Sequence, residues 1–289
     1  MNLNQCIDFW EDYLRSWDRN PAGLATLEKS RGHYFAYSKR LSPFIEYLPE
    51  PYYGDPDNIS FVVIDLNPAL SHFNDCKKLY KAPGAFLYDY FNSHSSSYIT
   101  FNNNYSPFNA NSISSIGTRM EVPGAKWWQE KRIKWLNKFV DRFLANKPIV
   151  KSHSDPFVFE LCPWHSDEWD DAIVTGMNSF LLNTVFNPAA EAVKRSILPF
   201  GFCFGRGIGD LLISLGFRVI YQRDNSNPAS KWPLNNKGNL VNRTYRLLES
   251  QNKDVYFLNL YADGTFYAPS KEFIENVDPI IIKDILAII

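Results

Sequence analysis

No Cys-x-x-Cys pair occurs in the 289 residues: the four cysteines stand alone at positions 6, 76, 162 and 203, which leaves neither a zinc ribbon nor an iron–sulfur ligand set. Cys162 and Cys203 fall in apolar, strand-like runs, where cysteine acts as a small core residue. Net charge is almost absent as well. With 30 Lys+Arg against 31 Asp+Glu and a formal charge of −1, the chain lacks the whole-molecule basic footprint of strong non-specific DNA binders, so any polyanion must be met by a local face. No apolar run approaches the roughly 18 residues that mark a membrane span. The opening residues carry Asp8, Glu11 and Asp12 where a secretory leader needs a basic start and an unbroken apolar stretch. The expectation is a cytoplasmic protein without a membrane partner. There is no Gly-x-Ser-x-Gly elbow, Walker loop or kinase signature to support acyl or phosphoryl transfer, and no internal repeat.

What is present is a globular composition, 45% apolar and 21% charged, long enough to bury a sizeable core. Aromatic residues reach 16%, which fits either a large aromatic core or platforms on which bases stack. An amphipathic pattern from Gln5 to about Ser16 predicts an opening helix, and residues 1–57 read as an N-terminal helical cap belonging to the same globule as an α/β domain over 58–289. Four short apolar runs, Ile59–Leu66, Pro156–Leu161, Phe200–Phe204 and Asp254–Leu260, read as buried strands. Helical patterns lie between them, over about Lys126–Asn146, about Asp171–Arg195 and Ile208–Leu215. Alternation of this kind predicts a parallel sheet covered on both faces, with ligands beyond the carboxyl ends of the strands. Residues 92–118, rich in Ser and Asn, form a long polar loop, read as a binding loop or lid or as plain disorder. The 126–146 helix carries Lys126, Lys131, Lys134 and Lys138, the last three spaced to share a side, which offers a basic face or an ordinary solvated one.

The strand ends carry the candidate chemistry. The first ends in Asp65-Leu66-Asn67-Pro68-Ala69-Leu70-Ser71-His72, where Asn-Pro breaks the ladder and leaves polar groups at the sheet edge. The second ends in Glu160-Leu161-Cys162-Pro163-Trp164-His165-Ser166. The third ends at Gly205-Arg206-Gly207, a turn whose amides can face an anion. The acidic group after His165 (Asp167, Glu168, Asp170, Asp171) lacks a His pair at ligand spacing and reads as an acidic first helical turn, so neither a metal nor another cofactor is expected.

These residues carry a resemblance. Val62 to Ser71 resembles the "LNPGPS" first motif of the uracil-DNA glycosylase superfamily, Glu160 to Ser166 resembles its "NLFP" element, Phe204-Gly205-Arg206-Gly207 resembles its third strand, and Ala268-Pro269-Ser270 is similar to its "HPS" motif. The match runs over roughly residues 58 to 275. The resemblance implies a three-layer α/β/α sandwich around a central four-stranded parallel sheet, DNA as partner with no obligate protein partner, and hydrolysis of an N-glycosidic bond after base flipping. By the same resemblance Asn67 positions the attacking water, Asp65 beside it acts as general base or stabilises the cation-like sugar, and Ser71, Arg206, Ser270 and Lys271 meet the DNA backbone. Phe73, directly after the first motif, is the candidate ring for stacking on the flipped base.

Departures from the pattern shape the substrate expected. Ala69 replaces a glycine. Ala268 stands where many members have the His that supports the departing base, and His165 is the nearest substitute in sequence. Glu160 takes the place of an Asn that reads uracil's amide edge. An ionised carboxylate only accepts hydrogen bonds, so it suits an exocyclic amino group such as cytosine N4 and repels a carbonyl. The expectation is a glycosylase preferring cytosine or a modified cytosine to uracil, similar to antiviral glycosylases that attack modified phage DNA. Two alternatives stay open: a catalytically inactive nucleic-acid-binding module on the same fold, and a dinucleotide-binding turn at Gly205-Arg206-Gly207-Ile208-Gly209-Asp210 with Asp224 as ribose ligand.

Overall fold

The computed structural model describes residues 1–16, 51–65, 134–145, 156–163, 178–223, 243–262 and 278–289. They form an α/β arrangement around one mixed sheet of seven strands: β1 (Tyr52–Tyr53), β2 (Val62–Asp65), β3 (Phe157–Glu160), β4 (Gly201–Phe204), β5 (Arg218–Arg223), β6 (Arg243–Glu249) and β7 (Tyr256–Ala262). The order across the sheet is β1-β3-β2-β4-β7-β6-β5. Strands β3, β2, β4 and β7 are paired parallel, and β1, β6 and β5 join antiparallel. The sheet is thus wider than the four strands expected from the sequence. Part of the 1–57 stretch, Tyr52–Tyr53, belongs to the sheet itself.

The apolar runs Val62-Val63-Ile64, Phe157-Val158-Phe159 and Phe202-Cys203-Phe204 are buried throughout because each strand is covered on both faces. Alternation sends Val62, Ile64, Phe157, Phe159, Cys203 and Phe257 into one core. Helix α1 (Leu3–Ser16) and the helical stretch 178–195 complete it, together with α5 (Arg206–Ser214). Val63, Val158, Phe202, Phe204, Leu258 and Leu260 face the other core, under α2 (Lys134–Leu144) and α6 (Asp278–Leu286). There the rings of Phe61, Trp135, Phe139, Phe200 and Phe204 all lie within 6.5 Å of the Phe202 ring. The aromatic richness of these segments is core material. Lys134 and Lys138 on α2 are exposed; Lys126 and Lys131 lie outside the described residues.

Local chemistry explains how α1 docks. Asn2 and Gln5 exchange side-chain to backbone hydrogen bonds (2.8 and 2.9 Å), a capping box that satisfies two orphan amides at the start of α1. The helical stretch 178–195 consists of α3 (Asn178–Leu181), a π-helical turn (Leu182–Phe186) and α4 (Asn187–Arg195). Pro188 has no N–H for the Thr184 carbonyl, and the Cys6 thiol of α1 donates to that oxygen instead (3.2 Å). Burial pushes the Cys6 thiol up to about 12, so it acts as a core residue rather than a nucleophile. Glu191 of α4 accepts the Leu3 amide at 2.6 Å and pairs with Arg195.

Partial desolvation pushes the Glu191 carboxyl up, but the Leu3 amide and Arg195 outweigh it and hold the group below its ordinary 4.5. A carboxylate lowered in the folded state stabilises at neutral pH, and that contribution is lost as pH falls through its folded value. Glu191→Gln should therefore cost about 1–2 kcal/mol at pH 7, consistent with a lost charge-assisted bond. The difference from the wild type should shrink below pH 4.5, as measured by urea midpoints across pH. A gap that stays constant with pH would contradict this role.

At the far edge, Tyr221 and Arg223 of β5 both meet Asp284 of α6, at 2.5 and 2.8 Å, and tie the outer strand to the helix. Burial pushes the Tyr221 hydroxyl up to about 12. No helix among the described residues is long and apolar enough to cross a membrane.

Candidate functional site

Strand β2 lies between β3 and β4; the connection from β2 runs to β3 on one side and that from β4 runs toward β5 on the other, so the strand order reverses between β2 and β4. Such a switch point opens a crevice beyond the carboxyl ends of the strands. Two acidic residues stand at this end of the sheet, the first bordering the switch point and the second one strand further on. Asp65, the last residue of β2, is paired in register with Glu160, the last residue of β3. They are 8% and 3% exposed. Neighbouring strands run roughly 4.8 Å apart. By alternation both side chains fall on the face of Val63, Val158 and Phe204, the α2 side of the sheet. The Trp135 ring at the start of α2 lies 5.9 Å from that of Phe204.

The backbone holds this pair firmly. The Leu161 amide donates to the Asp65 carbonyl (2.8 Å), extending the β2–β3 ladder past the last strand residues, and the Glu160 amide donates to the Pro51 carbonyl (3.0 Å). A register slip by one residue would send both carboxylates to the opposite face. Two carboxylates fixed side by side at a sheet edge can divide labour. One takes a proton from water or faces a developing positive charge; the other accepts hydrogen bonds from a ligand's donors.

Next along the edge is the β4–α5 turn. Gly205 takes φ +97°, a left-handed conformation that side chains rarely adopt, and its amide donates to the Leu260 carbonyl of β7 (2.9 Å). Arg206 opens α5 with its side chain 75% exposed, 3.4 Å from Asp210. Asp65, Glu160 and Arg206 therefore share one end of the sheet, at the ends of three adjacent strands. Asn67, Ser71, Phe73, His165, Ser270 and Lys271 lie outside the described residues, as do Ala268, Asp224 and the 92–118 loop.

Beneath the turn sits a polar group that the sequence reading did not single out: Arg246 of β6 and Asn259 of β7, cross-strand partners that are 6% and 0% exposed. The one signal for them was Asn259, a lone amide in the apolar run of β7, which needs a buried partner. Asp210 accepts from Arg246 at 2.8 Å. Gly209 is the point of closest approach: a Cβ there would lie 2.1 Å from Asn259 Oδ1 and 2.5 Å from Arg246 Nη2. Gly209 and Asp210 thus have packing and ion-pairing roles. Gly209→Ala should destabilise the protein by about 1–3 kcal/mol, the usual cost of overpacking, read as a lowered urea midpoint. An unchanged midpoint would mean the network yields without strain.

The sheet order also bears on the dinucleotide alternative. The strand after α5 is β5, three strand spacings or roughly 14 Å from β4. A ribose-binding acid of the dinucleotide type stands at the end of the neighbouring strand. Among the described residues no group of three or more His, Cys, Asp or Glu is arranged to hold a metal ion. Burial pushes the Cys203 thiol up to about 12, in keeping with a core residue.

No family model, no curated protein and no solved structure matches the chain.

Proposed function

We propose that the protein is a DNA glycosylase of the uracil-DNA glycosylase type, with helices packed on both faces of the parallel strands as a three-layer α/β/α sandwich. It hydrolyses the N-glycosidic bond of a flipped, modified pyrimidine, takes cytosine-type bases in preference to uracil, and acts in antiviral defence. The observation that carries the reading is the pairing of Asp65 with Glu160 as buried neighbours at the carboxyl ends of β2 and β3, with Asp65 bordering the switch point of the sheet.

In this reading the C1′–N bond breaks with its electron pair leaving on the base, water adds to C1′, and Asp65 accepts the water's proton or faces the positive sugar. Asn67 orients that water, Phe73 stacks on the base, and His165 lies beside it. Glu160 accepts from the exocyclic amino group. Ser71, Arg206, Ser270 and Lys271 hold the DNA backbone, a local contact consistent with a net charge of only −1.

The test is incubation of the full chain with single-stranded and duplex oligonucleotides carrying uracil, mismatched thymine or modified cytosines, followed by alkali to cleave at abasic sites. Strand breaks at modified cytosine support the reading. DNA binding without breaks at any base favours the inactive binding module, and neither binding nor breaks overturns both.

A further inference from the structure

Asn259 joins three strands. Its side-chain nitrogen donates to the carbonyls of Cys203 (3.2 Å) and Gly205 (2.9 Å), the two residues that flank Phe204 at the end of β4. Its side-chain oxygen accepts from Arg246 Nε (3.1 Å) and Nη2 (2.8 Å). An amide can in principle point either way, but a guanidinium only donates and a carbonyl only accepts. Arg246 therefore dictates the orientation of Asn259, and Asn259 in that orientation holds the turn. Arg246 also donates to the backbone carbonyl of Arg206 (3.4 Å), with its guanidinium 4.7 Å from the centre of the Tyr261 ring.

Apolar side chains of similar volume commonly stabilise a core as well as a buried ionic group does. What this group adds is direction: three contacts converge on the backbone of residues 203–206 and leave the side chain of Arg206 outside. The ion pair between Arg206 and Asp210 is exposed on both sides, and such pairs contribute little. A phosphate can replace Asp210 as the partner of Arg206, while Asp210 remains on Arg246.

We propose that Asn259 and Arg246 are positioning residues, which fix the Gly205–Arg206 turn so that Arg206 meets a DNA phosphate beside the Asp65–Glu160 pair. The DNA partner rests on the glycosylase reading; the hold on the turn does not.

Two measurements separate these parts. In the first, binding of a labelled oligonucleotide duplex is followed across a salt series. Arg206→Ala should lower the slope of log K against log salt by about one. Asn259→Asp keeps a partner for Arg246 but turns an acceptor onto the Cys203 and Gly205 carbonyls, and should lower the slope equally. The double variant should bind within about twofold of Arg206→Ala alone. Multiplied losses, or wild-type binding by a folded Asn259→Asp protein, overturn the proposal. In the second, amide exchange of the free protein is compared with that of Asn259→Asp and of Arg246→Lys, which keeps the charge but loses the fork on Asn259. Exchange at the Gly205 amide should quicken by about tenfold or more in both. Wild-type protection there in either folded variant overturns the proposal even if no DNA is bound. Loss of DNA binding by the wild-type protein itself sinks the glycosylase reading instead.

Discussion

Asp65→Asn is expected to slow base release by roughly 10²–10⁴-fold, the range that general-base contributions span. Asparagine keeps the shape of the side chain and leaves the backbone bond from Leu161 to residue 65 in place, but it accepts no proton at neutral pH. The loss should therefore appear in the single-turnover rate while DNA affinity and thermal melting stay near wild type. A variant that releases base at the wild-type rate would remove Asp65 from the chemistry and leave Asn67 and water to account for it.

Phe202→Ala is expected to have the largest effect on stability, about 3–5 kcal/mol, typical of a fully buried phenylalanine. Its ring is in edge or stacked contact with Phe61, Trp135, Phe139, Phe200 and Phe204. Those neighbours come from the sheet, the strand flanks and α2, and such a site collapses poorly when one ring is removed. The urea midpoint should fall strongly with little change in slope. A cost near 1 kcal/mol would mean that α2 shifts to fill the void.

Strands β2, β3, β4 and β7 of the mixed sheet were legible because strands buried on both faces read as short continuous apolar runs. Val62-Val63-Ile64 and Gly201-Phe202-Cys203-Phe204 have almost no polar interruption. The other strands did not announce themselves. β5 reads Arg-Val-Ile-Tyr-Gln-Arg and is half-exposed at the edge of the sheet, β6 mixes Arg243, Thr244, Arg246 and Glu249 into its run, and β1 is two residues long. Several of their polar residues pair with partners distant in sequence, such as Glu249 for Arg218 and Asp284 for Arg223, and no local pattern encodes those pairs. The same limit hid the Arg246–Asn259 pair. Asp65 and Glu160 were visible because each ends an apolar run, but their registration against one another is a property of the sheet. Pro188 in the 171–195 pattern is the mark of an interrupted helix, and the interruption is a π-helical turn rather than a break.

The most direct test of the account is the ratio of base release from modified cytosine to that from uracil, measured as free base from otherwise identical duplexes, for the wild type and for Glu160→Gln. A carboxylate at 160 accepts from an amino group and repels a carbonyl, whereas a glutamine side chain can serve either. The account predicts that the wild type favours modified cytosine and that Glu160→Gln lowers the ratio by about tenfold or more, since one such hydrogen-bonded distinction is worth roughly 1–3 kcal/mol. A wild type that releases uracil as readily as modified cytosine, or a Glu160→Gln protein with the wild-type ratio, would contradict it.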